Sequence, residues 1–264
     1  MEKVYAVAFS TKAYPRRIKK PNSEKSWHDR LVDRSLNADK IPFPKAVWSR
    51  KGTFLTSPTD GKALLKVRHR ALFLRGRDSN ATNKSCRMCG KHKETVEHLV
   101  ECPKLEPLKK AAVKILEAAG CNLATLHPLI SWVLGITWDC EPEDTKPLPE
   151  FEFAVLQLYW RTLYRHLMLH ERQKIARVVP ALLVRDLGKI LMTRILAYQQ
   201  SKQRHHTKFA CAGAVEGRTL SNAHPKEVER VAQLGELDPV TGDFEVRDTI
   251  KAVLIDLRAW KNFK

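Results

Sequence analysis

The segment CRMCGKHKETVEHLVECP, residues 86 to 103, holds Cys86, Cys89, His98 and Cys102, side chains of the types that bind a soft divalent ion. Cys86 and Cys89 have the C-x2-C spacing by which one tight turn presents two thiolates to one ion. Gly90, directly after them, supplies the permissive backbone such a knuckle needs. His98 and Cys102 lie four residues apart, so a short helix over TVEHLVEC stacks them on one face. Together the four make a closed Cys3His set, the arrangement of one structural zinc ion, with no position left open for a reaction. The competing reading, free thiols beside a surface histidine, is weaker because the four residues stand at workable spacing among polar neighbours. His92 is the alternative to His98, although C-x2-C-x2-H crowds three ligands onto one turn. Cys121, Cys140 and Cys211 have no partner at metal spacing and read as buried free thiols.

Other chemistry is hard to find. The chain has no Gly-rich phosphate loop, no G-x-S-x-G and no H-E-x-x-H. His166 and His170, four apart with Glu171 beside them, have the spacing of a metal pair, but a half-exposed helical face next to solvent or nucleic acid is the preferred reading. The same holds for Arg204, His205 and His206.

The knuckle segment resembles the zinc-binding element that follows the polymerase region in reverse transcriptases of non-LTR retrotransposons. There a C-x2-C-G is followed by Glu-Thr, then Glu-His-Leu, then Cys-Pro. Here these stand as CRMCG, Glu94-Thr95, Glu97-His98-Leu99 and Cys102-Pro103. The preceding LLKVRHRALFLRGRDSNATNKS is similar to the helix and loop that lead into that element, so the likeness covers roughly residues 60 to 118. The family usually places four residues between its His and last Cys, whereas this chain has three, LVE. The chain also has no Tyr or Phe followed by x-Asp-Asp, the carboxylate pair on which a reverse transcriptase loads its metals, and is expected not to polymerise.

Composition points to a partner. Among 264 residues, 47 Lys and Arg oppose 29 Asp and Glu, a formal charge of +18, which suits a polyanion. Nucleic acid is the first candidate. A membrane is not expected, because no apolar run approaches the ~20 residues that span a bilayer and the charge is spread along the chain. Six cysteines, three of them in one segment, favour a reducing compartment over a disulfide framework. The start, MEKVYAVAFSTKAYPRRIKKP, lacks the long apolar core of a secretory signal and reads as a basic arm or an organelle-targeting end.

The elements that must position these residues read as mainly α: helical hairpins with a small Cys3His zinc knuckle and an extended basic N-terminal arm. Residues 1–45, with four prolines and one candidate helix at SEKSWHDRLVDRSL, form the extension. Residues 46–138 form a zinc-knuckle helical module, 139–150 an acidic Pro-containing linker, and 151–264 a helical domain. From Thr59, a helix puts Leu64, Val67, Ala71 and Leu74 on one face and Lys62, Lys66, Arg70 and Arg77 on another. Helices follow at about 104–119, ended by Gly120, and over PLISWVLG. A helix over about 150–177, closed by Pro180, and one over roughly 181–200 make an antiparallel hairpin, ended by the basic run SKQRHHTK. HPKEVERVAQLGEL and DTIKAVLIDLRAWKNF supply two more amphipathic helices, with a turn, and room for a short hairpin, at DPVTGD.

Arg161, Arg165 and Arg172 form one basic stripe and Lys66 with Arg70 a second, without Asp or Glu at i+4 to neutralise them. Arg16, Arg17, Lys19 and Lys20 of the arm, with Lys62, Arg77, Lys202 and Arg204, complete the expected nucleic-acid contacts. Tyr159, Trp160 and Tyr164 lie beside the stripe, Trp160 on the apolar repeat and therefore in the core. The expectation is a non-catalytic RNA-binding zinc protein, RNA being preferred to DNA, acting among protein neighbours as a structural subunit of a large ribonucleoprotein such as a mitochondrial ribosome. The alternatives are the nucleic-acid-binding C-terminal part of a retrotransposon reverse transcriptase, a nuclear location, or a nuclease with unrecognised carboxylates.

Overall fold

A computed structural model describes residues 53–69, 71–78, 81–122, 128–135, 148–173, 178–216, 231–238 and 244–257. The arm with Arg16, Arg17, Lys19 and Lys20, its candidate helix, and most of the acidic segment lie outside the described residues. The described chain is mostly helical: α1 (Pro58–Arg68), α2 (Val96–Glu101), α3 (Glu106–Ala118), α4 (Pro128–Leu134), α5 (Glu150–Gln173), α6 (Pro180–Glu216) and α7 (Asp248–Asp256), with strands β1 (Gly235–Leu237) and β2 (Phe244–Val246).

Helix α5 is the centre. Every residue from Phe151 to Trp160 is buried, so this stretch is covered on all sides rather than on one apolar stripe. Helices α1, α3 and α6 pack against it. Trp160 is in the core, its Nε1 donating to the Trp132 carbonyl at 2.5 Å. Gln157, one of the polar residues that α5 buries, accepts from Thr56 Oγ1 at 2.5 Å. Residues from both sides of the acidic segment, Leu64 and Leu108 as well as Leu163 and Leu191, belong to one hydrophobic cluster.

Helix α1 starts where Ser57 and Asp60 cap each other reciprocally, with Pro58 in the first turn. It stops at Arg68, earlier than the apolar spacing predicts. Beyond it Ala71 and Phe73 are exposed while Leu72 and Leu74 are buried, the two-residue period of extended chain. The basic stripe expected to run from Lys62 to Arg77 is therefore cut after Lys66. Arg70 lies outside the described residues, and Arg77 sits in a separate 3-10 turn, Arg75–Arg77.

Pro180 opens α6 rather than closing α5, in the first-turn position proline tolerates well. Helix α6 also runs through SKQRHHTK to Glu216 instead of ending near 200. Lys, Gln, Arg and Ala are good helix formers and no proline interrupts them. Lys202 and Arg204 thus stand within a helix, their side chains outside the described set. Strands β1 and β2 form the short hairpin for which the sequence left room, antiparallel with Glu236 opposite Glu245, and β1 takes Gly235–Leu237 out of the helix expected over HPKEVERVAQLGEL.

Gly120 ends α3 at φ 72°, as the sequence predicts, and Gly135 follows α4 at φ 69°. A Cβ on Gly135 would lie 2.6 Å from Arg68 Nη2 and 3.0 Å from the Phe153 ring. Gly135→Ala is expected to cost at least about 1–2 kcal/mol from the left-handed backbone alone, read as a lower midpoint in thermal melts. Gly120→Ala, where a Cβ meets nothing within 4 Å, should carry only the backbone part.

Candidate metal centre

The chain doubles back on itself between Lys84 and Glu94. Ser85 and Lys93 form an antiparallel bridge, the Cys86 N–H donates to the His92 carbonyl at 2.7 Å, and the Glu94 N–H donates to the Lys84 carbonyl at 3.0 Å. Within this loop the Gly90 N–H closes a turn onto the Cys86 carbonyl at 2.7 Å, with Gly90 at φ 72°. The Met88 N–H points at Cys86 Sγ at 3.4 Å, a bond that favours a thiolate. Thr95 then caps α2, its Oγ1 accepting from the His98 N–H at 3.1 Å. Val96, Leu99 and Val100 bury one side of that helix. Cys102 is its last cap residue, with extended backbone, followed by Pro103.

These two pieces bring the predicted ligands together. One ligand atom each from Cys86, Cys89, His98 and Cys102 lies within 4.8 Å of all the others, and Cys89 Sγ is 3.3 Å from His98 Nε2. An ion with metal–sulfur bonds of about 2.3 Å separates tetrahedral sulfurs by roughly 3.8 Å, so the cluster is of the right size for one metal ion. Cys86 and Cys102 are buried, Cys89 and His98 half-buried. The neighbouring Cys102 thiol, then burial, raise the pKa of Cys86, while Cys86 lowers that of Cys102 against the effect of burial. A cation there would take the place of the thiol protons. Burial, then the neighbouring His92, lower the pKa of His98 and favour the neutral imidazole that ligation requires. His92 is exposed and outside the group, its ring 5.1 Å from that of His98.

Two residues that sequence reasoning missed hold this loop in place. Arg87 and Glu94 are fully buried and paired at 2.5 Å. The Arg87 guanidinium also donates to the carbonyls of Leu167 at 2.8 Å and Phe73 at 3.2 Å. Glu94 accepts in addition from the N–H groups of Arg87 and Arg75, both at 3.0 Å. Burial alone would raise the Glu94 pKa, but the hydrogen bonds and charge of Arg87 and the N–H of Arg75 outweigh it and hold the carboxyl below its ordinary range. Glu171 extends the network onto α5, 3.0 Å from Arg75 and 3.5 Å from Arg87. The signal available in sequence was an Arg inside the C-x2-C turn and a Glu just after it, which nothing local marks as buried.

The remaining expected residues divide. Lys62, Arg165 and Arg172 are exposed, and Lys66 lies 5.0 Å over the ring of Tyr164. Arg161 ion-pairs with Asp60, a buried residue 101 positions earlier that i+4 reasoning could not supply. Tyr159 is buried like Trp160, which leaves Tyr164 as the half-exposed aromatic of the three. His166 pairs with Asp186 at 2.9 Å, and among the described residues neither it nor His170 joins a metal-sized group. Cys121 is half-buried against Glu152, its pKa pushed up to about 12 by burial and then by that carboxylate. Cys140 lies outside the described residues, as does the side chain of Cys211. No helix among the described residues is long and apolar enough to cross a membrane. No protein-family model, no curated protein and no solved structure matches the chain.

Proposed function

We propose that the chain is a non-catalytic RNA-binding protein, stapled by one structural zinc ion, that serves as a fixed subunit of a large ribonucleoprotein. A mitochondrial ribosome is the most concrete such assembly. Three thiolates and a neutral imidazole suit zinc better than a hard cation such as magnesium or calcium, which prefers oxygen ligands. Four protein ligands fill a tetrahedron, so the ion fastens the fold and offers no site to a substrate.

The observation that carries the RNA reading is the meeting of basic helices. Lys66 of α1 lies over Tyr164 of α5, so a cation of the first basic helix meets the second helix beside its own basic residues. With a formal charge of +18 behind it, such a meeting suits a phosphate backbone, each neutralised phosphate steepening the salt dependence. Extended basic arms that gain order on binding fit structured RNA in the same way.

Sedimentation of a low-salt lysate tests the reading. The protein is expected to travel with a large particle and to leave it at high salt or after RNase. A free monomer in low-salt lysate would sink the subunit assignment. Metal-dependent cleavage of RNA by the purified chain would favour a nuclease instead.

A further inference from the structure

We infer that Arg161, Arg165 and Arg194 form a phosphate-binding site at the junction of α1, α5 and α6, with Asp60 as the residue that positions two of the guanidiniums. This rests on the RNA reading above and names the group that would hold a backbone phosphodiester.

Asp60 is fully buried at the start of α1. One carboxylate oxygen accepts from the Ser57 N–H at 2.8 Å and from Ser57 Oγ at 2.9 Å. Arg194 of α6 reaches the carboxylate at 2.8 Å, and Arg161 of α5 pairs with its other oxygen. Each of these arginine side chains is 30% exposed, so neither is sealed within the core. Arg165, one turn beyond Arg161, is exposed and has no carboxylate partner among the described residues.

The charge does not balance. One carboxylate would offset one guanidinium, yet two converge on it and a third stands close enough for its charge to be felt at Arg161. Burial and then the charges of Arg194 and Arg165 pull the Arg161 pKa below its ordinary value. The next carboxylate along α6, Asp186, is taken by His166 at 2.9 Å and lies 3.8 Å from Arg185. If Asp60 served only to staple the helices, a second half-buried guanidinium would add repulsion and desolvation without return. An anion removes that imbalance. Guanidinium groups held by a fixed carboxylate are pre-organised forks that fit phosphate oxygens in pairs. Such contacts take hold of the backbone and carry no base information.

The test uses the full chain and a fluorescein-labelled single-stranded oligouridylate, with anisotropy followed from 50 to 200 mM KCl. Arg165→Gln and Arg194→Gln are each expected to weaken binding roughly tenfold at the lower salt and to flatten the log–log salt slope by about 0.7. Arg194→Lys, which keeps the charge on Asp60, should keep the slope while losing affinity, and it controls for any loss of folding in Arg194→Gln. Lys114→Gln removes the same charge at a remote place, where Lys114 pairs with Asp256, and should leave the slope unchanged. If Lys114→Gln and Arg165→Gln weaken binding equally, or Arg165→Gln and Arg194→Lys both match the parent, the site is overturned while RNA binding stands. A parent protein that fails to bind the probe overturns the RNA reading itself.

Discussion

Stripping the ion from Cys86, Cys89, His98 and Cys102 with a chelator is expected to lower the unfolding midpoint more than any single side-chain truncation elsewhere, and zinc should restore it. Structural zinc contributes apparent free energies of about 10–16 kcal/mol in small finger peptides, as much as the roughly 5–15 kcal/mol that keeps a whole domain folded. Here the ligands are not on a peripheral loop. Cys86 and Cys102 are buried in the same cluster as Val96, Leu99, Val100 and Leu105, so thiols deprived of the ion are left facing one another inside the core. Cys102→Ser should reproduce the effect, and Cys121→Ser should not. Elemental analysis should give about one zinc per chain for the parent and for Cys121→Ser, and close to none for Cys102→Ser. A metal-free parent of equal stability would refute the centre.

Glu94→Gln carries the second large effect. The substitution keeps the shape of the side chain and removes the charge opposite a fully buried guanidinium. Breaking a buried pair on one side costs about 3–5 kcal/mol. Glu171 lies 3.5 Å from Arg87 and remains as a partial counter-charge, so the lower end of that range is expected in denaturant melts. Replacing Arg87 as well should recover only part of the loss, because the Leu167 and Phe73 carbonyls then lose their donor. The pH dependence has a definite sign. The folded carboxyl of Glu94 sits below its ordinary value, so its contribution is fully present above the unfolded pKa of about 4.3 and is lost as pH falls through the lower folded value. The gap between parent and Glu94→Gln should therefore be widest near neutral pH and close in acid. A gap that is flat across this range would mean that the charge is not what matters.

The parts of the fold that were legible in the sequence are those decided within a few residues. The C-x2-C turn and the stop at Gly120 each depend on local backbone preference, and each lies where its residues put it. The end of α1 was not legible, because Ala71 and Leu74 satisfy a helical period in the sequence while the chain there follows an extended one. Nor was the end of α6, where a run of basic residues resembles a terminus although its propensity is helical. Arg161 was read as a cation free for a nucleic-acid contact because nothing within one helical turn opposed it. Asp60 opposes it from another helix, and only the packing of α1 against α5 discloses that. Arg87 and Glu94 escaped notice for the same reason, since burial of a charged pair depends on what covers it.

The bond from Arg87 to the Leu167 carbonyl spans 80 residues, and during synthesis that distance becomes time. At roughly 5–20 residues per second, the knuckle emerges about 4–16 s before the carbonyl that receives its guanidinium exists. The four ligands, by contrast, all lie between residues 86 and 102 and need no later part of the chain to meet. A nascent chain therefore holds the complete Cys3His group before the part of α5 that receives Arg87 has been made.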